Sequence, residues 1–309
     1  MRVAVFGTGG VGGYFGGLLA NAGHETIFIA RGAHLDAIRQ NGLRVSSVNG
    51  DFYIVPAQAT DDPAKVGPVD CVIVAVKHYH LKDIAGNIRP LVGENTTVVP
   101  LLNGVDAHEI LAETLGQRPV VGGLCSIVSY IESPGVIRQE SKLRRVVVGE
   151  LDHQKSERVE QLVKVWAATG AEAIHAPDIH VALWTKFVFI TSFSGVGSLV
   201  RGPAGEWRDV PETRALYIAA LSEVEAVARA CGVNLPATVV ENALAMTDNF
   251  EFGTTASMQR DVAAGSLFEL DAFSGKIVQL GEKWGISTPV HRVMDGLLRP
   301  ILIRARGID

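Results

Sequence analysis

The sequence is poor in cysteine. Cys71, Cys125 and Cys231 are the only ones among its 309 residues. An odd, scattered trio offers no disulfide framework, so buried, reduced thiols of a cytoplasmic protein are expected. There is no C-x-x-C pair, no H-E-x-x-H and no P-loop lysine motif, and no metal site is expected. No apolar run reaches the roughly 18 residues that a membrane span needs. Positive charge is not in excess: 28 Lys and Arg stand against 33 Asp and Glu, for a net charge of −5. That balance argues against nucleic acid or an anionic membrane surface as partner. An apolar strand pattern begins almost at residue 1, so no signal peptide is expected. Repeats and low-complexity tracts are absent too. What remains is a chain that is 47% hydrophobic and long enough for two domains.

The organising stretch comes first. Val3, Ala4, Val5 and Phe6 form a short apolar run, as in a strand buried on both faces. Gly7, Gly9 and Gly12 follow with the spacing G-x-G-x-x-G, and Thr8, Gly10 and Val11 fill the motif. Residues 14–22 predict a helix stopped by Gly23, and residues 26–30 a second strand. Strand, glycine turn, helix and strand are the context that dinucleotide binding requires. Gly7 permits a tight turn, Gly9 lets a pyrophosphate approach the backbone, and Gly12 lets helix and strand pack closely. The helix N-terminus then faces the phosphates. NAD binders usually end the second strand with Asp or Glu, for the ribose hydroxyls. Here Ala30 and Arg31 stand there, with no acidic residue, and a cation suits the 2′-phosphate of NADP(H).

Further along, residues 34–40 predict a helix. Residues 43–46 and 52–55 predict a hairpin across Asn49 and Gly50. The run 70–76 predicts a central parallel strand. It ends at Lys77, His78, Tyr79 and His80, at the sheet edge where ligands bind; the two histidines read as loop residues, not metal ligands. Residues 96–102 predict the next strand, leading to Asn103 and Gly104. Asn103 fits either turn chemistry or a polar group beside the nicotinamide. Strands are expected at 120–126, 136–140, 145–149 and 171–176, with an amphipathic helix at 156–168. After Pro177 the period is helical: 182–200, 211–230, 236–250, 254–264, 267–284 and 289–305. The fold class expected is therefore an α/β Rossmann-type dinucleotide-binding domain, residues 1–177, followed by an all-α domain, residues 178–309. The site is expected in the cleft between them.

Lys186 emerges from an apolar stripe, with Phe189 and Ile190 three and four residues on. It reads either as a snorkelling lysine or as a functional ammonium. Glu269, three residues after Ser266, fits a capping box at the start of the 267–284 helix, a role compatible with a catalytic one. Asp271 points elsewhere on such a helix.

With these residues in view, the chain resembles the ketopantoate reductase (2-dehydropantoate 2-reductase) family over essentially its whole length. The resemblance rests on a set: the glycine motif 7–12, Arg31, Val76-Lys77, Leu102-Asn103-Gly104, Leu183-Trp184-Thr185-Lys186, the run 257–261, and Glu269-Leu270-Asp271. It implies a Rossmann domain plus a helical domain like that of phosphogluconate dehydrogenases, and reduction of 2-dehydropantoate to (R)-pantoate with NADPH in pantothenate synthesis. By position it implies Lys186 as general acid, Glu269 near the nicotinamide and the lysine, and Ser257 on the substrate carboxylate. Asn103 would touch cofactor and substrate, and Lys77 would lie along the cofactor. Residues 254–256 are weaker substrate candidates. The family often has asparagines at three substrate-facing places that here hold Ile190, Ser194 and Ala204, and Asn-Gly where Ser274-Gly275 stands. The hydride chemistry is untouched, but amide groups for a polar substrate are lost. The expected partner is a small 2-oxoacid, either ketopantoate or another bulky 2-oxoacid suited to a more apolar pocket. A non-catalytic NADP(H) sensor is the reading from another class, and it has no need of Lys186 with Glu269. A homodimer through the helical half is compatible with the pattern without following from it.

Overall fold

In the computed structural model, residues 1–307 are described. The chain divides into two compact units, Met1–Ile179 and a second that begins at His180.

The first unit runs β1 (Arg2–Phe6), α1 (Gly10–Asn21), β2 (Glu25–Ile29), α2 (Gly32–Asn41), β3 (Leu43–Ser47), β4 (Phe52–Ile54), β5 (Gln58–Thr60) and β6 (Val69–Val74). It continues with α3 (Leu81–Ile88), β7 (Val92–Pro100), α4 (Ala107–Leu115), β8 (Gly122–Ser126), β9 (Ser129–Ser133), β10 (Val136–Gln139), β11 (Arg145–Gly149), α5 (Glu157–Ala168) and β12 (Glu172–His175). The main sheet is parallel, in the order β5-β2-β1-β6-β7. Its strand order reverses between β1 and β6, the switch point at which such sheets bind ligands. β1 shows why the strands are apolar on both faces. Val3 and Val5 share a core with Tyr14 and Phe15 of α1, while Ala4 and Phe6 share another with Leu81 and Ile84 of α3 and Leu111 of α4. Two smaller sheets follow, β4-β3-β10-β9 and β12-β11-β8. The third joins the main sheet through a bridge, where Val98 N–H donates to Pro119 O at 2.7 Å and Val121 N–H to Val98 O at 3.1 Å.

The hairpin across Asn49-Gly50 forms as its turn residues demand, with Val45 opposite Phe52. α1 starts at Gly10, four residues before the expected 14–22 helix. Glycines disfavour a helix locally, but packing overrides this: a Cβ at Gly12 would stand 2.1 Å from Gly7 O, and one at Gly16 would stand 2.4 Å from Val5 Cγ2. β5, β9, α3 and α4 were not apparent from the sequence, because they are short or lack clear turn signals.

The second unit holds α6 (Ile179–Val200, whose first residue belongs to the first unit), α7 (Ala204–Trp207), α8 (Pro211–Ala230), α9 (Val239–Asp248), α10 (Ser257–Ala263), α11 (Ser274–Trp284) and α12 (Pro289–Ala305). Contrary to the sequence expectation, α6 is by length and composition apolar enough to cross a membrane, but 61% of its 18-residue apolar stretch is buried inside the fold, as in a core helix. Its Gly195 and Gly197 admit close neighbours: a Cβ there would meet Met294 Sδ at 2.4 Å and Gln259 Oε1 at 2.6 Å.

One expectation is corrected here. The 267–284 helix begins only at Ser274, so Ser266 and Glu269 do not stand at a helix start. Residues 270–273 make a turn instead, with Phe273 N–H donating to Glu269 O at 3.1 Å. Phe273 has φ −109 and ψ −105, outside the helical region, and this delays the helix start.

α12 begins against a remote carboxylate. Glu223 of α8 accepts from the amides of Val290 at 2.7 Å and His291 at 2.9 Å. These are two of the donors that a helix start leaves unpaired. The His291 ring is wholly buried; Nε2 lies 3.2 Å from Ala220 O, and Nδ1 lies 3.3 Å from Ser274 Oγ. Burial pushes its pKa down from 6.5 to about 4. A base depressed in the fold is neutral there while the unfolded chain takes up a proton, so stability is lost as pH falls from 6.5 towards 4. The loss expected from His291 is about 3 kcal/mol between pH 7 and pH 4. Urea unfolding at the two pH values tests this. His291→Gln should lose measurably less stability than the wild type over that range, and equal losses would show that His291 is not responsible.

Candidate functional site

At the carboxyl ends of β1 and β2 lies a cavity of about 240 Å³, lined among others by Gly7, Thr8, Gly9, Arg31, His34 and Asp61. Gly7 turns the chain off β1 with φ +97, and a Cβ there would stand 2.7 Å from Ala75 O. Only glycine meets both demands. Thr8 is buried, and its hydroxyl donates to Ile29 O at 3.1 Å, tying the turn to β2. Above Gly9 nothing lies within 4 Å of a Cβ position, which leaves space for a group against the backbone. The helical bonding of α1 begins with Gly13 N–H donating to Gly9 O at 2.7 Å. The amides of Gly10, Val11 and Gly12 therefore have no partner within the helix, and they form the positive end of its dipole. This cradle fits a pyrophosphate.

Arg31 is exposed at the N-cap of α2 and lines the same cavity. His34, in the first turn of α2, accepts at Nδ1 from Gly135 N–H at 3.0 Å, so its proton is on Nε2. That Nε2 is buried and has no hydrogen-bond partner of ordinary geometry. Burial lowers the His34 pKa, and the nearby Thr8 backbone offsets this in part. The sequence showed no acidic residue for the ribose. The end of β2 indeed carries none, but Asp61, just beyond β5, lines the cavity, about thirty residues after Arg31 in the chain. Its carboxylate pairs with Arg39 at 3.3 Å, both side chains being exposed. An acid that arrives from a third strand has no spacing signal.

The loops after β6 and β7 carry the next candidates. Lys77 is the N-cap of a 3-10 turn, His78–His80, and Asn103 lies in the loop before α4; both are partly buried. The sequence missed a pair at this edge: His78 Nε2 lies 2.6 Å from Asp106 Oδ1. Cys71 of β6 is fully buried, and burial pushes its thiol up to about 12, so it is an inert core residue.

In the helical unit, Lys186, Phe189 and Ile190 are partly exposed on successive turns of α6, while Phe187, Val188 and Phe193 are buried. Phe189 packs against Phe193 at 5.3 Å and Phe250 at 5.7 Å between ring centroids, which makes this stretch aromatic. Ser194, two turns after Lys186, is wholly buried with an unpartnered hydroxyl, and Ala204 is wholly buried at the start of α7. Ala204 N–H donates to Thr254 O at 2.9 Å, which fixes the segment leading to Ser257. Ser257 is partly buried at the first position of α10. The N-cap there is Ala256, whose N–H donates to Gln259 Oε1 at 3.4 Å. Glu269 is 3% exposed, in the segment before α11. Asp271 turns away into an ion-pair cluster with Arg299 and Arg306.

The family described as "Ketopantoate reductase PanE/ApbA" matches residues 3–153, and its C-terminal counterpart matches residues 178–301. A 2-dehydropantoate 2-reductase of Mesorhizobium japonicum is 29% identical, covering 98% of each chain. The crystal structure of a PanE/ApbA family ketopantoate reductase from Ralstonia eutropha is 30% identical, with a TM-score of 0.90 over 99% of this chain and 100% of that one. A D-mandelate dehydrogenase solved with NADH and anilino(oxo)acetate shares the fold at TM-score 0.91, with 21% identity over 99% of each chain. Two family matches cover most of the sequence, and the glycine cradle and helical second unit are in place. The chain therefore belongs to the ketopantoate reductase family, NADP-dependent oxidoreductases that act on a CH–OH group.

Proposed function

We propose that this protein catalyses the NADPH-dependent reduction of 2-dehydropantoate to (R)-pantoate, in the cytoplasm, as a step of pantothenate synthesis. The observation that carries the proposal is Lys186, an ammonium on the partly open stripe of an otherwise apolar core helix. Ketone reduction needs a hydride on carbon and a proton on the developing alkoxide. Bound NADPH supplies the hydride. Lys186 first polarises the carbonyl and then donates a proton from Nζ. Ser257 offers its hydroxyl to the substrate carboxylate, and Asn103 its amide to cofactor and substrate. Glu269, carried by the same resemblance, is the acidic partner of the site. The glycine turn and Arg31 hold the phosphates, and Lys77 lies along the cofactor.

A second substrate reading is favoured by one observation. Ile190 replaces an amide on the Lys186 stripe, beside Phe189, while Ser194 and Ala204 are buried. A pocket built this way suits a bulky apolar 2-oxoacid, or one without pantoate's hydroxyl. NADPH oxidation against a panel of 2-oxoacids decides between the readings, and a chain that oxidises NADPH with none of them would be a sensor. If ketopantoate is the substrate, its KM is expected to be high for the family. Ile190→Asn should then lower it by roughly fivefold, the value of one net hydrogen bond at about 1 kcal/mol. An unchanged or higher KM in that variant would place Ile190 away from the substrate.

A further inference from the structure

β6 and β7 are neighbours in the sheet, with Val74 opposite Pro100, and Leu101 N–H donates to Val74 O at 2.8 Å. Beyond that point the two strands lead into different loops. One carries Lys77 and turns at once into His78–His80, with His80 N–H donating to Lys77 O at 3.0 Å. The other carries Asn103 and Gly104 and ends at Asp106, the N-cap of α4.

Across this gap His78 Nε2 meets Asp106 Oδ1 at 2.6 Å, with side-chain exposures of only 13% and 11%. A carboxylate only accepts, so Nε2 carries the proton. Two features set the pair apart from an incidental contact. An aspartate at an N-cap ordinarily accepts from the first amides of its own helix, worth about 1 kcal/mol. Asp106 makes no such capping bond and directs its carboxylate to His78. Gly104 has φ +106, and a Cβ there would lie 3.1 Å from His78 Cδ2 and 3.6 Å from Asp106 Oδ1. The imidazole therefore lies against the backbone next to Asn103, in a space that only glycine leaves open.

We propose that the His78–Asp106 bond is a clamp that sets the loop carrying Lys77 against the loop carrying Asn103, so that both present their side chains to the nicotinamide half of the cofactor. His78 and Asp106 are positioning residues. The inference rests on the cofactor roles proposed above for Lys77 and Asn103. Clamping these loops removes the ordering cost that binding would otherwise meet. The adenosine end, held by the glycine turn and Arg31, is independent of it.

The test uses Asp106→Ser, His78→Phe and the double variant. Serine restores an N-cap to α4 but does not span to the imidazole, and phenylalanine keeps the ring packed on Gly104 without the hydrogen bond. Dissociation constants are measured for NADPH and for adenosine 2′,5′-bisphosphate, which lacks the nicotinamide half, together with kcat and the unfolding temperature. Each single variant is expected to unfold within about 3 °C of the wild type. Each should bind NADPH about fivefold more weakly, bind the bisphosphate as the wild type does, and lose about tenfold in kcat. The double variant should be no worse than either single, as for two halves of one contact. The proposal is overturned by equal weakening of both ligands, by unchanged NADPH affinity, or by additive losses in the double variant. Lys77→Ala and Asn103→Ala run beside them. If these leave NADPH affinity and kcat intact, the underlying cofactor roles fail. If they lower both while the clamp variants do not, the clamp alone fails.

Discussion

Lys186→Met is expected to lower the reduction rate by at least roughly 10²–10⁴-fold, the range assigned to general acid catalysis, with carbonyl polarisation lost as well. Methionine keeps the apolar stem and most of the volume on α6, so the helix and its aromatic neighbours Phe187 and Phe189 should remain packed. NADPH affinity should persist, because the proposed phosphate cradle is built from the glycine turn after β1, the start of α1 and the end of β2. The wild-type rate should fall at high pH as the ammonium loses its proton, and the residual activity of the variant should lack that limb. Glu269→Gln should do less, since it removes charge but keeps shape in a nearly closed environment. Steady-state rates across pH, with NADPH binding measured in parallel, check all of this. Near-normal turnover by Lys186→Met with both ligands bound would falsify the assignment and leave Lys186 a snorkelling lysine at the edge of an apolar helix.

Arg31→Asp carries the second large effect. The wild type should use NADPH at much lower concentration than NADH if, as proposed above, the guanidinium at the α2 N-cap pairs with the 2′-phosphate. Reversing that charge should raise the KM for NADPH by about 10²-fold, from a lost charge-assisted contact and a new repulsion of about 1.5 kcal/mol each. The KM for NADH should change little, so the preference narrows or inverts. Asp61 gives this prediction an internal control. It lines the same cavity and pairs with Arg39, so Asp61→Asn should leave the NADPH preference intact or strengthen it. Equal use of both cofactors by the wild type would end the reading of Arg31 as the selector.

Much of the molecule was legible in the chain alone. The glycine spacing 7–12 between two apolar runs gave the dinucleotide fold, because turn geometry, backbone approach and helix packing each demand glycine there. The switch to a 3.6-residue period after Pro177 gave the helical unit, and the bounds of Pro211–Ala230 and Pro289–Ala305 followed from proline at the helix start. The place of Arg31 beside the glycine turn was readable because the end of the second strand sits at a set distance from the motif. Short or glycine-rich elements were less legible: α1 begins four residues early because close packing outweighs the poor helix propensity of its glycines.

Spacing determined which residues stand within one turn or one strand of each other, since local geometry converts sequence distance into position. It placed Lys186 with Phe189 and Ile190, and Gly7 with Gly9 and Gly12. Only the tertiary structure decided what meets across distance. It brought Asp61 into the cavity of Arg31 and directed Asp106 to His78 instead of its own helix. It left Ser194 wholly buried on the helix that half-buries Ile190, and it set Glu269 just ahead of a turn rather than at a helix start. For His78–Asp106 and Ser194 the deciding force is the pairing of a buried polar group or the packing of a core face, and for Asp61 it is the pairing of neighbouring strands. These depend on which strands and helices become neighbours, and the order of residues along one segment does not carry that information.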